Sequence, residues 1–308
     1  MIEATRIRDV LGVPALRPAP DAWLQGGRRF RTADCEIAAI VSPGAQPPVL
    51  FLHGNSSSMR VWANQFECMR RMGRAFIAID LPGHGQSNNS STPHLTYSFP
   101  GYAAVVREVL DALRCKSVDV VGWSLGGHVG LELLATDSRI RSLLISGTPP
   151  ARPCAGAVER VFYSSESLGF ASRCELSDAD IVNYARAMMG GQAILTPELL
   201  QDIRRTDGWA RQCMFENAVG GVGTDQQLTV ETTYKPVCVV HGECDPFVRL
   251  DYLRSVSFST LWSGHIHTIP AAGHAPQWQL PSAFNKILAG FLNSTNASTD
   301  RLVTGCGF

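Results

Sequence analysis

The sequence predicts an α/β fold, a mostly parallel sheet flanked by helices with a helical cap inserted between two of its strands. Three observations carry this. Short apolar runs rich in β-branched residues alternate with longer helical patterns, as they do where a buried sheet is covered by helices. The strong runs end in glycine, proline or aspartate followed by polar residues. The alternation breaks once, from about Pro149 to Lys235, where the pattern is helical only.

In chain order, an opening strand is expected around Glu36 to Val41, pairing antiparallel at the edge. Buried strands follow at Val49–Leu52, Phe76–Ile79, Val118–Val121, Leu143–Ile145 and Val237–Val240, with a weaker one at Ile266–Ile269. A helix is expected over Leu125–Ala135. Within the cap, Asp178-Ala179-Asp180-Ile181 and Thr196-Pro197-Glu198-Leu199 read as helix starts, with acidic first turns and a capping threonine before proline. The expected division is an N-terminal extension over 1–30, a core over 31–148 and 236–293, a cap over 149–235 and a tail over 294–308.

The 308 residues are 45% hydrophobic and 18% charged, with no net charge. Such a chain can bury a sizeable core without disulfide or metal staples. The charge balance argues against nucleic acid as a partner, because phosphate binding needs a basic excess. Nine cysteines lie scattered with no C-x-x-C pair, which points to reduced thiols and a cytoplasmic setting. The N-terminus has no apolar signal core and no run of apolar residues is long enough to span a bilayer, so no membrane partner is expected. Sequons at Asn89 and Asn293 are read as chance matches, and the oligomeric state is left open.

In sheets of this kind the ligand sits at the loops following the carboxyl ends of the strands. Here those loops are H-G-N-S-S-S from His53, D-L-P-G-H-G-Q-S from Asp80, G-W-S-L-G-G from Gly122, S-G-T-P-P from Ser146 and H-G-E-C-D-P from His241. G-x-S-x-G between a strand and a helix is a nucleophile elbow, a turn so tight that glycine must flank the serine. Serine needs a base, and the base needs an orienting carboxylate. In the chain order nucleophile, acid, base, these are Ser124, then Asp245 past a buried strand, then His274 in A-A-G-H-A-P. Glu243 is the rival acid. An oxyanion hole requires fixed N–H donors, expected from the backbone of Leu125, just after the serine, and of Asn55. The Asn55 side chain could instead brace its loop. Trp123, beside the nucleophile, is a candidate substrate contact.

Other features take plainer explanations. His265-x-His267 begins like a zinc lactonase motif but lacks its Asp-His continuation, so alternate strand positions explain it and no metal is expected. No dinucleotide or phosphate-loop fingerprint is present, so no cofactor is expected. The cap residues Phe162, Tyr163, Leu168, Phe170, Met188, Met189 and Phe215 are candidates for an acyl pocket, though each also reads as core.

Together these residues resemble the α/β-hydrolase superfamily from about Arg31 to Leu292. Ser124 disfavours the dehalogenases and epoxide hydrolases, which carry a carboxylate there. H-G-N-S-S-S, D-L-P-G-H-G-x-S, G-W-S-L-G-G-H, G-T-P-P, the cap segment R-T-D-G-x-A-R-x-x-M-F-E (Arg205 to Glu216) and D-P-F-V with A-G-H-A-P resemble the metal-independent N-acyl homoserine lactone hydrolases. That resemblance implies an α/β-hydrolase fold, the triad Ser124, Asp245 and His274, and Asn55 with Leu125 at the oxyanion hole. It also implies Tyr184 as a cap hydroxyl facing substrate. In that family the acid is glutamate, so Asp245 is a departure, as are Trp209 and the extended N-terminus. The expected partner is a small ester or lactone. The alternatives are a general carboxylesterase and a non-catalytic ligand-binding protein of the same fold.

Overall fold

The protein, seen here in a computed structural model, is described over residues 27–154, 156–190 and 195–304, with side chains as far as residue 296. Most of the expected N-terminal extension lies outside the described residues. Eight strands form one sheet: Gly27–Arg31 (β1), Glu36–Ser42 (β2), Ala45–Leu52 (β3), Arg74–Ile79 (β4), Val118–Trp123 (β5), Ile140–Ser146 (β6), Val237–Gly242 (β7) and His267–Ile269 (β8). Their spatial order is β1-β2-β4-β3-β5-β6-β7-β8. The pairs β1–β2 and β2–β4 are antiparallel, and all later pairs are parallel.

Strands β4 and β5 are buried along their whole length, as strands covered on both faces must be; they read as apolar runs broken by one charge each, Arg74 and Asp119, which pair at 2.9 Å. The helices Phe99–Ala112 and Leu125–Thr136 pack on one another, and Ala63–Arg71 packs on Pro281–Thr304. The edge differs from expectation. Strand β2 is antiparallel as foreseen, but β1 lies outside it and holds the edge. The sequence G-R-R-F-R buries only part of Phe30, so it carries no hydrophobic period. Its arginines suit an edge, because charge there discourages pairing with other chains. At the other end, the last helix runs on to Thr304, past Asn293 and into the expected tail.

Between β6 and β7 the described residues add helices and no strand to the sheet. Asp178–Met189 begins with a capping box, the Ser177 hydroxyl accepting from the Asp180 N–H while the Asp180 carboxylate accepts from the Ser177 N–H. Pro197–Arg205 starts at the Thr196 cap with proline in its first turn. Both starts fall where the sequence put them. Gly208–Val219 and Gln226–Thr232 complete the segment, capped by Asp207 and Asp225. No described helix is long and apolar enough to cross a membrane.

Candidate active site

Ser124 sits between β5 and the Leu125–Thr136 helix at φ 53°, ψ −118°. Left-handed backbone is costly for any residue with a Cβ, so the turn must be held from outside. The Ser124 N–H donates to the Ser146 carbonyl at 2.9 Å, and the Thr148 hydroxyl donates to the Ser124 carbonyl at 3.0 Å. The flanking glycines are obligatory. A Cβ on Gly122 would stand 2.4 Å from the Gly126 carbonyl oxygen, and one on Gly126 would stand 2.1 Å from that of Leu52. The elbow is thus packed directly against the end of β3, where the loop bearing Asn55 starts.

His274 and Asp245 meet as a buried pair, Nδ1 to Oδ2 at 2.9 Å. The other carboxylate oxygen of Asp245 accepts from the Phe247 N–H at 2.8 Å and the Val248 N–H at 3.1 Å. Burial pushes the Asp245 carboxyl up. The charge and hydrogen bond of His274 and the Phe247 amide outweigh it and hold the group below its ordinary value. With Oδ2 accepting, the proton sits on Nδ1 and Nε2 is free to act as a base. Glu243, two residues earlier, points to solvent, so the carboxylate that pairs with the histidine is Asp245.

His274 lies against both neighbours of the elbow. The Trp123 indole N–H donates to the His274 carbonyl at 2.7 Å, and a Cβ on Gly147, next to Ser146, would meet the His274 ring at 2.8 Å. Phe247 meets the imidazole edge to face at 4.9 Å. Trp123, expected to touch substrate, is wholly buried, and its ring packs so closely under Gly54 that a Cβ there would come within 2.8 Å. The contacts the structure gives it are therefore with the histidine loop and the Asn55 loop.

Asn55 follows β3 in a loop clamped from both sides. Buried His53 accepts from the Leu81 N–H through Nε2, and burial lowers its pKa to about 4, so it is a neutral strut. The Asn55 amide donates across to the Ala171 carbonyl at 2.9 Å and its oxygen accepts from the Ser56 hydroxyl at 3.2 Å. The side chain therefore braces the loop, while the backbone N–H of Asn55, like that of Leu125, meets no acceptor among the described residues. Tyr184 is buried, its hydroxyl facing that of Ser56 and its ring tilted against Phe170 at 6.0 Å. Burial raises its pKa, partly countered by Arg211 and Ser56.

A cavity of about 410 Å³ opens beside the loops that bear Asp245 and His274, lined among others by Phe170, Asn183, Ala187, Cys244, Pro246 and Gly273. Of the cap apolars singled out in sequence, Phe170 reaches it. Met188 and Met189 are buried, Phe162, Leu168 and Phe215 pack partly buried on the core, and Tyr163 is exposed. His265 and His267 lie ring to ring at 4.3 Å, and His267 stacks on Trp262. Among the described residues no three His, Cys, Asp or Glu gather as metal ligands. Sequence reasoning passed over Thr148, Gly147, Ser56 and Arg211. All four lie inside motifs that the sequence made conspicuous, but nothing in those motifs assigned them a role.

Comparison with known proteins agrees with this architecture. The chain superposes on N-acyl homoserine lactonase AidH complexed with N-butanoyl homoserine with a TM-score of 0.83 and 38% identity, covering 87% of this chain and 97% of that one. It is 26% identical over 260 residues to a 2-hydroxy-6-oxononadienedioate/2-hydroxy-6-oxononatrienedioate hydrolase of Cupriavidus pinatubonensis (strain JMP 134 / LMG 1197), covering 80% of this chain and 86% of that protein. An esterase from Exiguobacterium antarcticum shares the fold at a TM-score of 0.67 and 16% identity, covering 84% of this chain and 96% of its own. The sequence profile of the alpha/beta hydrolase family matches residues 49–287, and the chain belongs to that family.

Proposed function

We propose that this hydrolase opens the ring of an N-acyl homoserine lactone, or of a similar small lactone, with Ser124 as nucleophile, His274 as base and Asp245 as orienting acid. The observation that carries the reading is the buried His274–Asp245 pair, set against Trp123, which precedes the strained Ser124, and against Gly147 in the loop that braces it. The likeness to a lactonase over most of both chains supports the substrate class.

In this mechanism the Ser124 hydroxyl attacks the ring carbonyl as its proton passes to Nε2 of His274. Asp245 stabilises the imidazolium, and the amides of Leu125 and Asn55 receive the oxyanion. As the tetrahedral intermediate collapses, the ring C–O bond breaks and His274 returns the proton to the departing oxygen. The ring is now an acyl-enzyme bearing a free hydroxyl. Water, deprotonated by His274, releases the hydroxy acid and restores Ser124, so one water is added across the ester. A side-chain amide in the same substrate is the harder target, because its resonance is stronger and its nitrogen leaves poorly. In this reading the part of the substrate that projects from the ring lies in the cavity lined by Phe170 and Pro246, which flanks the loops of Asp245 and His274.

The test is incubation with an N-acyl homoserine lactone followed by mass spectrometry. The expected product is N-acyl homoserine, heavier by one water and re-closing on acidification. Release of free homoserine lactone with a fatty acid would mean amide cleavage and refute the reading. A general carboxylesterase would instead turn over p-nitrophenyl esters in preference to the lactone.

A further inference from the structure

We infer that Arg211 is a positioning residue, holding the loop that presents the Asn55 amide from inside the cap, so that the cap acts on turnover and not only on substrate capture. This rests on the proposed serine mechanism, in which that amide receives the oxyanion.

Arg211 lies on the Gly208–Val219 helix and is almost wholly buried. Its guanidinium has no carboxylate partner among the described residues. Nε donates to the Arg173 carbonyl at 2.8 Å, and Nη2 to the Cys174 carbonyl at 2.9 Å. Nη1 points at three acceptors at longer range: the carbonyls of Ile203 at 3.3 Å and Thr206 at 3.4 Å, and the Ser56 hydroxyl at 3.5 Å. A buried cation without a counter-ion is expensive, and simple cohesion of the cap could be had more cheaply from apolar packing. What the fork does instead is join three cap segments to one residue of the core.

That residue is strained. Ser56 stands at φ 55°, a region that serine avoids, so its peptide orientation needs external support. Its hydroxyl is the node of the support, donating to the Asn55 oxygen, facing the Tyr184 hydroxyl and lying in reach of Arg211. The residues on both sides are also tied to the cap. Asn55 donates to the Ala171 carbonyl, and the Ser58 hydroxyl donates to Asp202 at 2.6 Å. Positions 55, 56 and 58 therefore all hold cap residues, while Gly54 rests on Trp123 beneath. Removing Arg211 frees the middle of this clasp. The Asn55 amide then loses its aim at the oxyanion, which exists only during reaction, and binding of the ground-state ester is little changed.

The experiment compares Arg211→Met, Arg211→Lys and Ser56→Ala with the parent enzyme on p-nitrophenyl butyrate, with thermal melts to confirm folding. Arg211→Met is expected to lower kcat about 30-fold with KM within about threefold, a loss in the range that a misaimed group produces. Arg211→Lys, which keeps the charge and some donors, should recover about half of that loss on a logarithmic scale. Ser56→Ala should lower kcat by about fivefold, and adding it to Arg211→Met should cost less than the product of the two, because they act through one node. A folded Arg211→Met enzyme with normal kcat, a loss confined to KM, or full additivity would overturn the inference. If Arg211→Met does not fold, the same split in Arg211→Lys and Ser56→Ala decides. Ser124→Ala separates the two readings. If it keeps turnover, the serine mechanism itself is wrong, whereas an inactive Ser124→Ala beside an unaffected Arg211→Met sinks only the clasp.

Discussion

Replacing Asp245 by asparagine or alanine separates what the carboxylate does for chemistry from what it does for the fold. Oδ1 of Asp245 accepts from the Phe247 and Val248 amides, and Oδ2 faces Nδ1 of His274. Asparagine can keep its carbonyl oxygen toward the two amides, so the loop retains its bonds. Its NH2 group then faces Nδ1, which must accept, and the imidazole proton moves to Nε2. The base is now blocked toward Ser124. The expected loss in kcat is about four orders of magnitude, as for the same change in a serine protease, which at about 1.4 kcal/mol per decade is roughly 5 kcal/mol. Alanine leaves both amides buried without an acceptor, at about 1–3 kcal/mol each, so its melting temperature should fall by roughly 3–9 °C while that of the asparagine variant stays near the parent.

The assay is kcat and KM on a p-nitrophenyl ester beside a thermal melt, with exposed Glu243→Gln as a control expected to stay within about twofold, as surface changes do. An asparagine variant within tenfold of the parent would refute the tautomer argument. Equal melting temperatures for the two variants would refute the hydrogen-bond accounting.

Two more outcomes follow from strain and burial. Ser124→Gly should abolish turnover yet raise the melting temperature by about 1–4 °C, because glycine relieves a φ of 53° that costs about 1–3 kcal/mol, less the larger chain entropy of glycine; a lower melting temperature would count against strain at the elbow. Burial raises the carboxyl of Asp202 to about 6 and that of Asp80 to about 7. A group whose pKa is raised on folding stabilises the fold fully below its unfolded value and loses that contribution as pH rises through the folded one. That contribution is lost between about pH 4 and 7, while buried neutral His53 and His128, whose pKa values are lowered to about 4, add stability over much of the same range. The clean readout is therefore the difference: Asp202→Asn, which can still accept from Ser58, should gain melting temperature relative to the parent as pH rises from about 4 to 7; a difference that does not change with pH would mean that Asp202 is already ionised at the acid end.

The fold class and the central strands were legible because strands buried on both faces must be apolar throughout, as Val49–Leu52 and Phe76–Ile79 are. Strand β1 was not, since an edge strand that buries only part of Phe30 draws its order from backbone pairing to β2. Asp245 and Glu243 lie two residues apart in one loop, and only the fold shows which of them turns inward to the Phe247 and Val248 amides. The Asn55 side chain was read with two possible jobs, and its bond to Ala171, 116 residues away, assigns it to bracing. Arg211 sat inside a motif that the sequence made conspicuous, but its acceptors are backbone carbonyls of Arg173, Cys174, Ile203 and Thr206. Every residue type has a carbonyl, so no pattern in the sequence could mark them.

The loops at the rim are held by one another more than by their own strands, and this constrains how the site can vary. Trp123 links the elbow to the histidine loop through its indole N–H and supports the Asn55 loop through its face under Gly54. Thr148 and Gly147, from the loop after β6, touch the elbow and the His274 ring respectively. A change at Gly54 or Gly147 touches no reacting atom, yet either Cβ must displace Trp123 or His274, and close-packed interiors do not absorb such a shift for free. Left-handed backbone at Ser56 and Ser124 is tolerated because contacts from other loops over-determine it. Exposure on the cap is not the same as freedom, since Tyr163 bonds the Phe247 carbonyl through its N–H and Trp209 meets His94. The inner side of the cap, at Ala171, Tyr184, Asp202 and Arg211, is bound more closely still, to the geometry of the Asn55 loop.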